Sequence, residues 1–213
     1  MPLDHLLDPP RDVRADDPRV GVIPANERLL TVPTLVTIAR TVVAVVLSAM
    51  AAHQSSLTLL VAGLVVYWAG DVLDGFTARV LGQESRVGAL LDVLSDRLCA
   101  ASFYLGLAWL QPDLAPAVFV YLAQFMVIDC LLSIAFVAWP IRSPNYFYVV
   151  DRRLWLWNWS PPGKAANSAL VAVLLLVTGS MWAGLVLALA LTVLKTASLV
   201  RLLRLGLPVP GSP

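Results

Sequence analysis

"DVLDGFTARVLGQESRVGALLDVLSD", residues 71–96, sets four carboxylates, Asp71, Asp74, Asp92 and Asp96, in a chain that is otherwise mostly apolar. Burying carboxylates near hydrocarbon is costly, so their placement decides what the chain is. Of 213 residues, 59% are hydrophobic and 14% charged, where a soluble domain carries about 25% charge. The composition predicts an all-α membrane protein. A formal net charge of +1 supplies no basic field for nucleic acid. Cys99 and Cys130 sit in apolar runs, form no metal motif or disulfide framework, and read as small core residues.

A spanning helix needs about 20 mostly apolar residues. Six stretches qualify, roughly 30–51, 57–79, 87–110, 114–139, 164–180 and 182–204. Residues 1–28 are polar and proline-rich, lack the pattern of a signal peptide, and read as a cytosolic arm. Residues 29–205 form one six-helix domain and 206–213 a short tail. Arg11, Arg14, Arg19 and Arg28 precede the first span, and Arg79 and Arg86 lie between the second and third. Arg142, Arg152, Arg153 and Lys164 lie between the fourth and fifth, and Arg201 and Arg204 end the last. The alternate loops contain no Lys or Arg, so the positive-inside rule puts both termini in the cytosol. The loop 143–164 carries Tyr146, Phe147, Tyr148, Trp155, Trp157 and Trp159. Such residues favour the membrane–water interface, and the loop reads as an anchor there that can also form a lip over a site.

Each helical residue turns about 100°, so Asp71, Asp74, Gly75, Ala78 and Arg79 share one helix face. Gly88, Asp92 and Asp96 share a face on the next helix. A hairpin turning near Gly82 and Gln83 brings both pairs to one depth, at most about 13–20 Å from the turn and in the cytosolic half of the membrane. Carboxylates within spanning helices are rare and mark functional sites. Two divalent cations would cancel four negative charges, and hard oxygen ligands suit Mg²⁺ or Mn²⁺. Gly75 and Gly88 clear space beside the carboxylates, and Arg79 at the wet end of the face can pair with a phosphate.

Residues 71–96 fit D-x2-D-G-x2-A-R-x8-G-x3-D-x3-D at all eight fixed positions. This resembles the signature of the CDP-alcohol phosphotransferase family. The upstream "VPTLVTIAR", with Pro33, Thr34, Thr37 and Arg40, is similar to that family's proline–threonine–arginine stretch. The resemblance implies two metal ions held by Asp71, Asp74, Asp92 and Asp96, with Asp96 also the general base. It implies that CDP-diacylglycerol contacts Gly75, Ala78, Arg79, Ser85 and Gly88, and that Thr34, Leu35, Val36 and Thr37 line the same donor site. A phosphatidyl group would pass to an alcohol with release of CMP, in a multi-pass enzyme of the cell membrane whose active site faces the cytosol. The resemblance also implies a homodimer.

The acceptor is the open choice. Gly163 and Lys164 in "PPGKAANSALVAV" resemble a glycine–lysine of phosphatidylglycerophosphate and cardiolipin synthases, whose second lysine and threonine are replaced here by Ala166 and Asn167. Inositol-phosphate-using relatives carry a basic segment late in the fourth span, where this chain has Asp129 and no Arg before Arg142. Glycerol 3-phosphate is therefore the expected acceptor, with phosphatidylglycerol or an inositol phosphate as alternatives. Lys164, Lys195, Arg142 and Arg201, with Arg152 and Arg153, are the candidate cations for it. A cation-coupled transporter is the competing class, since buried carboxylates also mark ion pathways. No inverted repeat or broken-helix pattern supports it in the sequence. A non-catalytic scaffold is a third reading, against which the intact signature argues.

Overall fold

The computed structural model describes residues 13–14, 17–206 and 208, so Arg11 and most of the 206–213 tail lie outside the described residues. The chain runs through α1 (Val32–Gln54), α2 (Leu57–Val80), α3 (Arg86–Leu110), α4 (Pro112–Ala138), α5 (Arg152–Asn158), α6 (Pro161–Ser168), α7 (Leu170–Thr178) and α8 (Met181–Leu205). Helices α1, α2, α3, α4 and α8 are each long and apolar enough to cross a membrane. Helices α6 and α7 are bent by 43° at Ala169 and make a sixth span if counted together. The all-α class holds, and five of the six expected spans are single long helices with edges moved by a few residues; the fifth expected span is instead a broken pair, which the apolar run of the sequence did not reveal.

Local chemistry sets the ends. Thr31, Ser56, Ser85, Asp151, Ser160 and Ser180 each precede a helix and accept a hydrogen bond from the backbone N–H three residues on. Each satisfies a donor that the first helical turn leaves unpaired. The α2–α3 hairpin turns through Gly82 at φ +62°, a left-handed conformation that glycine adopts without steric cost.

Helices α1 and α2 cross at small residues. A Cβ at Gly63 would lie 3.2 Å from the Ala44 carbonyl oxygen, and one at Gly70 would lie 2.5 Å from both Cβ and Cδ of Arg40. Between membrane helices, van der Waals contact of closely approaching backbones drives association, and small residues permit it. This seam fixes how Arg40 on α1 stands against α2.

Two spans depart from regular helix. Over Gln124–Asp129, α4 opens into a wider π-type turn that carries a buried Asp129. Such turns recur at functional sites. At the α6–α7 break, the Tyr121 hydroxyl donates to the Asn167 carbonyl at 3.0 Å, serving a backbone group near the bend.

One apolar cluster joins Leu60, Leu64, Phe103, Tyr104, Leu107 and Tyr121. A second joins Val20, Phe136, Ile141, Tyr146, Phe147, Trp155 and Trp159. The second cluster corrects the reading of the aromatic loop as an interfacial anchor. Tyr146, Phe147, Tyr148, Trp155 and Trp159 are buried, and only Trp157 of the six is exposed. Their rings pack on one another, as in Phe147 on Trp159 at 4.7 Å between centroids. Composition identifies rings that want one apolar side, and here that side is protein.

Candidate active site

Helices α2 and α3 present the four aspartates to one cavity of about 210 Å³. One oxygen each of Asp71, Asp74 and Asp92 lies within 4.8 Å of the others. Asp96 joins them through Arg40, whose guanidinium reaches all four carboxylates. Its Nε is 2.8 Å from Asp74, and its Nη2 is 2.6 Å from Asp92, 3.0 Å from Asp96 and 3.6 Å from Asp71. The Arg40 side chain is 2% exposed. The Thr37 hydroxyl donates to Asp74 Oδ2 at 2.8 Å, so the α1 stretch expected to meet the donor also holds a carboxylate in place. Four formal negative charges against one positive, all oxygen donors and converging, fit divalent cations of the Mg²⁺ or Mn²⁺ type.

The cavity brings most of the expected residues together. Thr34, Thr37, Gly75, Ala78, Arg79, Ser85 and Gly88 line it with the aspartates. Leu35 and Val36 do not, and Leu35 is exposed on the outer side of α1. Glycine at 75 leaves room for Arg79 to fold back, since a Cβ there would stand 3.4 Å from Arg79 Nη1. Ser85 lines the cavity but also caps α3, accepting from Gly88 N–H at 3.0 Å.

The expected acceptor cations divide. Lys164, Lys195 and Arg142 line the same cavity. Arg201 does not: it pairs with Asp151 at 2.6 Å and borders a separate groove beside Trp157 and Arg204. Arg152 and Arg153 are exposed and also lie off the cavity. Lys164 is exposed at its rim, on a helix whose start is tight, because a Cβ at Gly163 would stand 2.8 Å from the Leu156 carbonyl oxygen.

Behind the aspartates lies a buried network that the sequence reading did not assemble. Arg97 pairs with Asp129 at 2.6 Å, donates to Ser133 at 3.0 Å and stacks 3.8 Å from the Phe125 ring centroid. Asp129 also pairs with Lys195, which donates to Asn158 Oδ1 at 2.8 Å. Asn158 in turn donates to Ser198 at 3.1 Å. The ions are thus paired and hydrogen-bonded, as charges inside a membrane domain must be. An arginine or lysine inside an apolar span was the available signal for Arg40 and Lys195; their partners depend on helix register.

Residues 30–196 match the family model described as CDP-alcohol phosphatidyltransferase. The chain belongs to that family. CDP-diacylglycerol–inositol 3-phosphatidyltransferases of Rattus norvegicus and Mus musculus are each 34% identical to it over 93 residues. That match covers 42% of this chain and 41% of each relative, so it spans about two fifths of the length of the curated relatives. No solved structure matches the chain. Asp71, Asp74, Asp92 and Asp96 line one cavity together with Arg142, Lys164 and Lys195.

Proposed function

We propose that this chain transfers a phosphatidyl group from CDP-diacylglycerol to the hydroxyl of a small phosphorylated alcohol, releasing CMP. The observation that carries the reading is the set of four carboxylates, gathered by α2 and α3 into a cavity of a chain of this family. Asp71, Asp74, Asp92 and Asp96 would hold two Mg²⁺ or Mn²⁺ ions, which supply charge neutralisation for a pyrophosphate.

The residues have separate tasks. Thr34, Gly75, Ala78, Arg79, Ser85 and Gly88 receive the CDP portion of the donor, with Arg79 as its phosphate partner. The acyl chains stay in the bilayer beside the exposed apolar faces of α1 and α2, such as Leu35, Val72 and Phe76. Asp96 takes the proton from the acceptor hydroxyl as that oxygen attacks the β-phosphorus. The bond from that phosphorus to the CMP oxygen breaks, and CMP leaves with the electron pair. Arg142 and Lys164 receive the acceptor's phosphate, with Lys195 deeper in the cavity.

Glycerol 3-phosphate is the first acceptor in this reading, on the likeness of Gly163 and Lys164 to the glycine–lysine of phosphatidylglycerophosphate and cardiolipin synthases, and the cavity offers cations for its phosphate. An inositol-bearing acceptor is the second, favoured by the two inositol-using relatives. The distribution of Lys and Arg supports a cell-membrane protein with termini and cavity facing the cytosol. The family resemblance extends the proposal to a homodimer. Purified protein given CDP-diacylglycerol and Mg²⁺ is offered glycerol 3-phosphate, inositol phosphate, inositol and phosphatidylglycerol in turn, and CMP is measured. Release with glycerol 3-phosphate alone supports the first acceptor, and release with an inositol compound supports the second. No CMP with any acceptor, alongside cation flux in liposomes, would favour the transporter.

A further inference from the structure

The segment before α1 is tied to residues that flank two stretches of the cavity lining, Gln83 to Ser85 and Arg142 to Pro144. On one side, Asn26 donates to the Gly82 carbonyl at 2.7 Å. The Glu27 carboxylate accepts from the Arg86 and Val87 N–H groups at 2.8 and 3.2 Å, on the first turn of α3. On the other side, Gly21 pairs with Ile141 as an antiparallel bridge. Val22 N–H donates to the Pro140 carbonyl at 3.2 Å, and Arg142 N–H donates to the Val20 carbonyl at 3.1 Å. Val20 is 1% exposed and Val13 is 8% exposed, both within the aromatic cluster. The segment is therefore packed as a strap.

The strap ends on Arg142. Arg142 Nη2 donates to the carbonyls of Pro18, at 3.3 Å, and Arg19. Its Nη1 lies 3.5 Å from Glu84, a loose pair, and Glu84 is already served by the Tyr146 hydroxyl at 2.9 Å. Arg142 Nε and the neighbouring Ser143 hydroxyl are buried without hydrogen-bond partners. Both residues are more than nine-tenths buried, and both line the cavity. A buried polar group without a partner is costly, and two adjacent ones bordering a cavity fit a ligand that brings acceptor oxygens.

We infer that residues 18–22 of the N-terminal segment are a positioning element of the acceptor pocket, holding Arg142 beside Ser143 as receptor for the acceptor's phosphate monoester. The inference rests on the transferase reading above. It adds a specificity: with Nη2 held by backbone carbonyls, the Nε–H and the Ser143 hydroxyl are the buried donors left for a phosphate. Arginine suits that task because it stays charged while its separate N–H groups serve different partners. Lys164 on the same cavity, without an ion pair among the described residues, adds a second charge.

The test uses the full chain with Val20→Asp, which disrupts the buried strap, and Val22→Pro, which removes the donor to Pro140. Steady-state CMP release is measured against acceptor and against CDP-diacylglycerol. The expected result is an acceptor KM raised about ten- to a hundredfold, the range of one hydrogen bond to a charged group. The donor KM and kcat change little. On an Arg142→Gln background, which raises the acceptor KM by itself, the strap variants add nothing further. Calorimetric titration with inorganic phosphate gives a readout that needs no turnover, and binding weakens in Val20→Asp and Arg142→Gln alike. An unchanged acceptor KM and unchanged phosphate binding in both strap variants would overturn the inference. So would equal losses with and without Arg142, or a uniform loss in both KM values and kcat. If the wild type releases no CMP with any acceptor, the transferase reading fails, and phosphate titration still decides whether the strap shapes an anion site.

Discussion

Arg40→Gln removes the cation that four carboxylates share. In the protein its guanidinium lies 2.6–3.6 Å from Asp71, Asp74, Asp92 and Asp96 and is 2% exposed. Taking one partner from a buried ion pair typically costs about 3–5 kcal/mol, because the remaining charge is left uncompensated. For a chain of about this size each kcal/mol moves the melting temperature by roughly 2–4 °C, so EDTA-treated Arg40→Gln should melt about 6–20 °C below wild type. A ligand at a hundredfold excess over its Kd adds about 2.7 kcal/mol to the folded state. Arg40 repels a cation approaching the same oxygens, so adding Mg²⁺ should raise the melting temperature more in the variant than in wild type. Thermal unfolding in detergent, followed by tryptophan fluorescence across a Mg²⁺ series, measures both quantities. Equal melting of the two proteins in EDTA would refute the role of Arg40 as shared counter-ion. An equal Mg²⁺ response would refute the competition.

Three further outcomes follow from the geometry. Asp96→Asn keeps the side-chain size but cannot take the acceptor's proton, so single-turnover CMP release should fall about 10²–10⁴-fold while CDP-diacylglycerol titration stays near normal; a near-wild-type rate would place the base elsewhere. Gly70→Ala sets a Cβ 2.5 Å from Arg40 Cβ and Cδ, so it should destabilise by about 1–3 kcal/mol in a melting assay, and an unaltered melt would contradict the tight α1–α2 crossing. Burial pushes the Asp151 carboxyl up, but hydrogen bonds from Arg201 and Leu154 N–H outweigh it and hold the group below the usual carboxylate range. That contribution is full above about pH 4, the ordinary aspartate value, and is lost as pH falls through the lower folded value. Wild type should therefore lose stability in that acid window, and Asp151→Asn should lack that component; superimposable pH profiles would exclude the effect.

The aspartates were legible because helix periodicity is local. Spacing of three or four residues puts Asp71 with Asp74, and Asp92 with Asp96, and Gly82 marks the turn that folds one pair onto the other. The spans were legible because hydrocarbon thickness demands long apolar runs. What the sequence concealed depends on pairing across distance. Arg40 meets Asp74 only because Gly63 and Gly70 set the register of α1 on α2, and periodicity within either helix carries no such register. The Arg97–Asp129–Lys195 network joins α3, α4 and α8 through a π-type turn that a regular helical projection would misplace. The aromatic loop deceived for a different reason. Interface anchors and folded aromatic clusters draw on the same residues, and burial against Ile141 and Leu202 settles the matter for this chain. The packing of residues 18–22 was not legible because a short bridge between Gly21 and Ile141 leaves no alternating pattern in either segment.

The most direct test of the central claim is CMP release by purified wild-type protein from CDP-diacylglycerol and glycerol 3-phosphate, run in EDTA and again after Mg²⁺ is restored. The account predicts no release in EDTA, recovery with Mg²⁺, and no recovery in Asp71→Asn or Asp92→Asn at the same Mg²⁺ concentration. Full release in EDTA, or recovery in both variants equal to wild type, would contradict the assignment of the four-aspartate cavity as a metal-dependent transferase site.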